Sequence, residues 1–213
     1  MRFDSLMRMV GSLPWFDLAT VVQLSGERRQ TVTQQLHRFV MGGTVIPLRR
    51  GMYVLAERYR RSPVQPAELA GVIYRPSYLS GLWALSYYGL IPESVSVFTS
   101  VTSRSPRCFV NAIGEYRYQH VKRSLFFGAH PLLISGRKVM VASPEKALID
   151  HWHLTRGEWT TGRMREMRFA TNEMVDAEKL ESMLSVLGMP RLLRAYRVWH
   201  SILSEEQLGE VVL

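Results

Sequence analysis

Arg28-Arg29-Gln30-Thr31-Val32-Thr33-Gln34-Gln35-Leu36-His37-Arg38-Phe39-Val40-Met41, then Gly42-Gly43, then Val45-Ile46-Pro47-Leu48-Arg49-Arg50-Gly51-Met52-Tyr53-Val54-Leu55, is the stretch that decides the fold. Val32, Leu36, Phe39 and Val40 recur at i, i+4, i+7 and i+8, which is one face of a helix. Gly42-Gly43 ends that helix as a C-cap does. Two apolar runs follow as strands, and Gly51 between them can take the positive φ of a hairpin tip. Upstream, Phe3, Leu6, Met7 and Val10 predict a first helix stopped by Gly11, and Asp17 to Leu24 a second, closed by Ser25-Gly26. Three helices and a two-stranded hairpin, in that order, predict a winged helix-turn-helix over residues 1–58.

The third helix carries the functional signal. With its apolar face buried, Arg28, Arg29, Gln30, Thr33, Gln34 and Arg38 are left for solvent. Arginine pairs bidentately with guanine and glutamine with adenine, and threonine can meet a thymine methyl or a phosphate. The only acid nearby is Glu27, at the start, although a bland surface helix mixes both signs. Arg49 and Arg50 at the hairpin tip add cations where a wing meets the backbone. Double-stranded DNA is the expected partner, with a homodimer on paired half-sites. A solvated basic helix, or a winged helix that binds protein, is the competing interpretation, and salt dependence separates them.

Charge patterning points the same way. The 213 residues carry 27 basic and 18 acidic side chains, net +9. Residues 1–62 hold ten basic and four acidic groups, net +6, while residues 151–213 come to −1. A cationic surplus concentrated in a small unit is the footprint of a nucleic-acid binder. The length suits one large or two small domains. The longest uncharged run, Pro76 to Pro92, is 17 residues and falls short of the ~20 that cross a bilayer. No secretory leader is read at the N-terminus, and a cytoplasmic location is expected. The single cysteine, Cys108, excludes an internal disulfide and is expected to be a small buried apolar residue in a strand.

Glu57 to Ser62, polar and basic and followed by Pro63 and Pro66, reads as a linker. Residues 63–213 then form an α+β unit, with a core over 63–155 and a helical end over 156–213. Expected there are helices at Pro66–Tyr74 and Leu79–Tyr88, and strands at Val95–Val101, Arg107–Ala112 and Tyr116–Val121. A hairpin follows at Pro131–Val141, turning at Ser135-Gly136. Ser143-Pro144-Glu145 is a strong helix start, with serine at N-cap and proline at N1. Helices at Thr161–Ala170, Asp176–Leu187 and Arg191–Leu203 close the chain.

No enzyme is expected. The paired aspartates of a nucleotidyltransferase, a phosphate-binding glycine loop and a Gly-X-Ser-X-Gly nucleophile motif are all missing. An enzyme acting on nucleic acid without such a motif stays open as a minor alternative. Asp150, His151 and His153 are candidate metal ligands by residue type. Only Asp150 and His153 share a helical face, too few to hold a metal tightly, so no metal or cofactor is expected. Two arginine rows, Arg163/Arg165/Arg168 and Arg191/Arg194/Arg197, face either an anionic partner or nearby Glu158, Glu166, Glu173 and Glu178.

Three stretches carry a resemblance: Leu48 to Leu55, Arg75 to Pro92, and Gly114 through Leu125-Phe126-Phe127-Gly128 to Ala142-Ser143-Pro144-Glu145-Lys146-Ala147-Leu148-Ile149-Asp150. Over roughly residues 10–155 the chain resembles the AbiEi-type antitoxins, the regulatory partners of type IV toxin–antitoxin systems. The resemblance implies a DNA-binding repressor of its own operon. It also implies a C-terminal domain that counters a nucleotidyltransferase-like toxin without a stable complex. Stand-alone relatives imply a repressor with no toxin as the alternative. The second-domain motifs read as structural, and no functional site is carried over from them.

Overall fold

The computed structural model describes residues 1–170 and 174–210, with side chains as far as residue 205. It is a mixed α+β architecture: N-terminal helices with a small three-stranded sheet, a central six-stranded mixed sheet, and a helical C-terminus.

The N-terminal unit contains α1 (Phe3–Val10), β1 (Phe16–Asp17), α2 (Leu18–Ser25), α3 (Arg29–Met41), β2 (Val45–Arg49) and β3 (Met52–Leu55). Asp17 starts α2 by accepting a 2.7 Å hydrogen bond from the Thr20 amide, which satisfies a first-turn donor. Gly26, at φ +66, ends α2 in the left-handed region. β1, β3 and β2 pair antiparallel in that order. β1 carries no sequence signal because it is two residues long and runs directly into the α2 cap. The helices close over Leu6, Val10, Phe16, Leu18, Val21, Val32, Leu36, Val45 and Leu55. Glu57–Ser62, expected as a linker, begins with a 3-10 turn at Glu57–Tyr59, and the Tyr59 ring packs 4.8 Å from Phe3.

The second unit begins with α4 (Pro66–Ile73), β4 (Ser77–Leu79) and α5 (Gly81–Tyr87). Then come β5 (Phe98–Thr102), β6 (Arg107–Asn111), β7 (Gly114–His120), β8 (Ala129–Ile134) and β9 (Arg137–Ala142). The sheet order is β6-β7-β5-β4-β9-β8, with β5/β7 and β4/β9 parallel and the other pairs antiparallel. Leu79, the last residue of β4, was expected as the first of a helix, and no strand was expected at Ser77–Leu79. Tyr78 and Leu79 are buried between two strands, and burial outweighs the helical look of the run. α6 (Pro144–Leu154) lies against the sheet, and α7 (Thr161–Glu166), α8 (Ala177–Leu187) and α9 (Pro190–Glu210) pack around it. Ser143 caps α6 as expected, accepting from the Lys146 amide at 3.3 Å.

The hairpin belongs to both cores. Val45 and Leu55 face the N-terminal helices, while Leu48, Met52 and Val54 are buried in the large core of the second unit. The Asn111 side-chain amide donates to the Leu48 carbonyl at 3.1 Å, tying the hairpin to β6. Cys108 corrects its expectation: it is exposed. β6 is an edge strand, and Cys108 alternates with the inward-facing Phe109.

Candidate nucleic-acid interface

α3 is held by one face. Val32 and Leu36 are fully buried, and Phe39 and Val40 pack at the edge of the small core. Arg28, Arg29, Gln30, Thr33, Gln34 and Arg38 are all exposed. Thr31 and His37 share that exposure, although neither was among the residues expected on this face. Their positions between the chosen residues were the available signal.

No acid lies within α3. Glu27 just before it is engaged elsewhere: its carboxylate meets the Met1 amine at 2.9 Å and the Gln35 amide at 2.7 Å. Those two donors, the amine first, hold the Glu27 carboxyl below the usual carboxylate range. Among the described residues, none of Arg28, Arg29 and Arg38 forms an ion pair. Arg28 is the N-cap residue and makes no side-chain cap, so the first-turn amides remain available at the positive end of the 13-residue helix. Thr33 spends its hydroxyl proton on the Arg29 carbonyl at 2.8 Å, leaving its oxygen and methyl facing outward.

The two arginines at the hairpin tip diverge. Arg50 is exposed at the tip beside Gly51, whose φ is +76. Arg49 is half-buried, and its guanidinium turns back to the Arg50 carbonyl at 3.1 Å, facing the second unit. A register shift between Pro47 and Arg49 produces this divergence by sending Leu48 into the large core.

Elsewhere the polar residues are mostly occupied. Lys146 and Asp150, i and i+4 on α6, form an ion pair with side chains 0% and 1% exposed. Asp150 also accepts from the Ser80 hydroxyl at 2.7 Å and the Tyr78 hydroxyl at 3.2 Å. Burial pushes the Asp150 carboxyl up and draws the Lys146 ammonium down, while each charge works to keep the other. The i, i+4 spacing was visible in the sequence, but its burial was not. His151 is buried against Trp159, and desolvation, helped by Arg163, lowers its pKa to about 4. Among the described residues no group of three or more His, Cys, Asp or Glu side chains is placed to hold a metal ion.

The C-terminal arginine rows are mostly partnered. Arg165 meets Glu205 at 2.8 Å, Arg168 meets Glu93 at 2.5 Å, and Arg194 meets Glu158 at 3.7 Å. Arg191 donates to the carbonyls of His153, Thr155 and Gly157, and Arg163 stacks 4.6 Å over Trp159. Of the acids expected to balance these rows, Glu173 lies outside the described residues. No helix among the described residues is long and apolar enough to cross a membrane. Comparison with protein-family models and with curated proteins finds no match.

Proposed function

We propose that the N-terminal unit is a winged helix-turn-helix and that the chain is a sequence-specific, double-stranded-DNA-binding transcriptional regulator. α2 and α3 would be the helix-turn-helix, α3 the helix in the major groove, and β2–β3 the wing. The observation that carries this is the outer face of α3: exposed, free of acid, and bearing three arginines with no carboxylate partner. Arg28, Arg29, Gln30, Thr33, Gln34 and Arg38 then read bases and phosphates, and Arg50 grips the backbone. Arg49 supports the wing from inside. Acting in the cytoplasm as a repressor of the AbiEi type, with a nucleotidyltransferase-like toxin as its antagonist or as a stand-alone regulator, is the biological setting we attach to this. Paired half-sites would make the bound form a homodimer.

The experiment is a salt titration of affinity for a random duplex, followed by selection of preferred sequences from a randomised pool. If α3 and the wing neutralise about five phosphates, log K falls against log salt with a slope of about −4 to −5. Weak binding that does not respond to salt would favour a winged helix that docks on protein.

A further inference from the structure

Arg49, Arg50, Arg75, Arg104 and Arg107 line a cleft of about 650 Å3 between the hairpin and the six-stranded sheet, with Tyr74 and Phe109 in its wall. No carboxylate lines it, and among the described residues none of the five arginines forms an ion pair. The contrast with Arg165, Arg168 and Arg194, each held by a glutamate, is direct. Gathering like charges in a concave surface raises their mutual repulsion and focuses a positive potential that an anion relieves.

The cleft is pre-formed. The Thr102 hydroxyl donates to the Pro76 carbonyl at 2.7 Å, Arg104 donates to the Arg75 carbonyl at 2.9 Å, and the Tyr74 hydroxyl donates to the Ser105 carbonyl at 3.0 Å. These bonds pin the β5–β6 loop to the α4–β4 turn. The guanidinium of Arg104 lies over the Tyr74 ring at 4.6 Å, and Phe109 stands 6.0 Å from the same ring. An aromatic wall carrying a guanidinium therefore adjoins the charges. Arg49 Nε is buried with no hydrogen-bond partner, so the guanidinium is not fully committed within the protein.

We propose that this cleft binds a nucleoside polyphosphate, its phosphates on the arginines and its base on the Arg104–Tyr74 surface. Guanidinium forks suit phosphate oxygens, and the cavity lies within the roughly 300–1,000 Å3 of small-molecule sites. Arg49 and Arg50 belong to the wing as well. On the DNA-binding proposal, occupancy would draw Arg50 from the duplex and weaken DNA binding.

The test is isothermal calorimetry of the full chain with ATP, in the absence of DNA, with adenosine as the uncharged control. ATP binds and adenosine does not. Arg107→Ala, which removes a side chain making no hydrogen bond of its own, weakens ATP by about tenfold, the loss of one charge-assisted contact. Arg104→Ala does at least as much, and Arg38→Ala on α3 leaves ATP affinity unchanged. No ATP binding below about 1 mM, where the binding free energy falls to a few kcal/mol, would overturn the proposal. So would unaltered affinity in both cleft variants. Cleft variants that lose duplex affinity while ATP never binds would make the cleft a strip of nucleic-acid surface and overturn a small-molecule site. Because the titration contains no DNA, its failure is distinct from failure of the DNA-binding proposal.

Discussion

Lys146→Met removes one half of an ion pair whose side chains are almost wholly inside the protein. Asp150 would keep its hydrogen bonds from Ser80 and Tyr78 but lose the charge that makes its own burial tolerable. Breaking a buried pair from one side destabilises by about 3–5 kcal/mol. Against a typical stability of about 5–15 kcal/mol, that brings the chain towards its unfolding threshold. Asp150→Leu strands the Lys146 ammonium and leaves the two hydroxyls without their acceptor, so it should be at least as damaging. The double variant Lys146→Met/Asp150→Leu removes both charges and retains only the hydroxyl penalty, about 1–3 kcal/mol. The cycle therefore closes with a coupling of at least about 3 kcal/mol. Urea unfolding of the four proteins at pH 7, followed by far-ultraviolet circular dichroism, reads it directly. Additive single effects, or a single variant costing under about 1 kcal/mol, would refute the claim that this pair acts as one buried unit.

Three further outcomes follow from the structure. His151, with its pKa depressed to about 4 by burial, must stay neutral in the fold, whereas the unfolded chain takes up a proton near 6.5. Its contribution is complete above pH 6.5 and is lost as pH falls towards 4. At about 1.4 kcal/mol per pH unit, roughly 2 kcal/mol disappears between pH 7 and 5, and His151→Phe should lose correspondingly less in urea melts at those two values. Gly128→Ala, at φ +74 with a Cβ placed 3.0 Å from the Lys146 side chain, should destabilise by about 1–3 kcal/mol, and a neutral result would mean that the strand turn relaxes freely. Asn111→Ala releases the Leu48 carbonyl and removes the acceptor of the Ile113 and Gly114 amides in the β6–β7 turn; a drop of about 1–3 kcal/mol, with faster hydrogen exchange in β2, is expected, and unchanged exchange in β2 would show that the apolar contacts alone hold the hairpin.

The helices and hairpin of the N-terminal unit were legible because their apolar spacing and glycine stops agree locally. The exposed set on α3 follows from four apolar positions that settle the opposite face. What was not legible depends on distant chain. Arg49 and Arg50 look equivalent side by side, yet a register shift sends one inward and the other out. Arg75 lies in the turn before β4, Arg104 in the loop after β5 and Arg107 at the start of β6, and only the β4–β5 pairing brings these segments together. Cys108 read as interior because strands are usually half-buried, but its strand is at the sheet edge. The Lys146–Asp150 pair sits in a helix whose sequence does not reveal that nearly every side is covered.

Gln34 offers the most direct test of the claim that α3 reads DNA. Its side chain is exposed, makes no contact that stabilises the fold, and suits adenine in the major groove. Fluorescence anisotropy of Gln34→Ala on a selected duplex and on a random one, at equal salt, should show a loss of about 1–3 kcal/mol on the first and almost none on the second. Equal affinity of wild type and variant on the selected duplex, or the same loss on both, would contradict it.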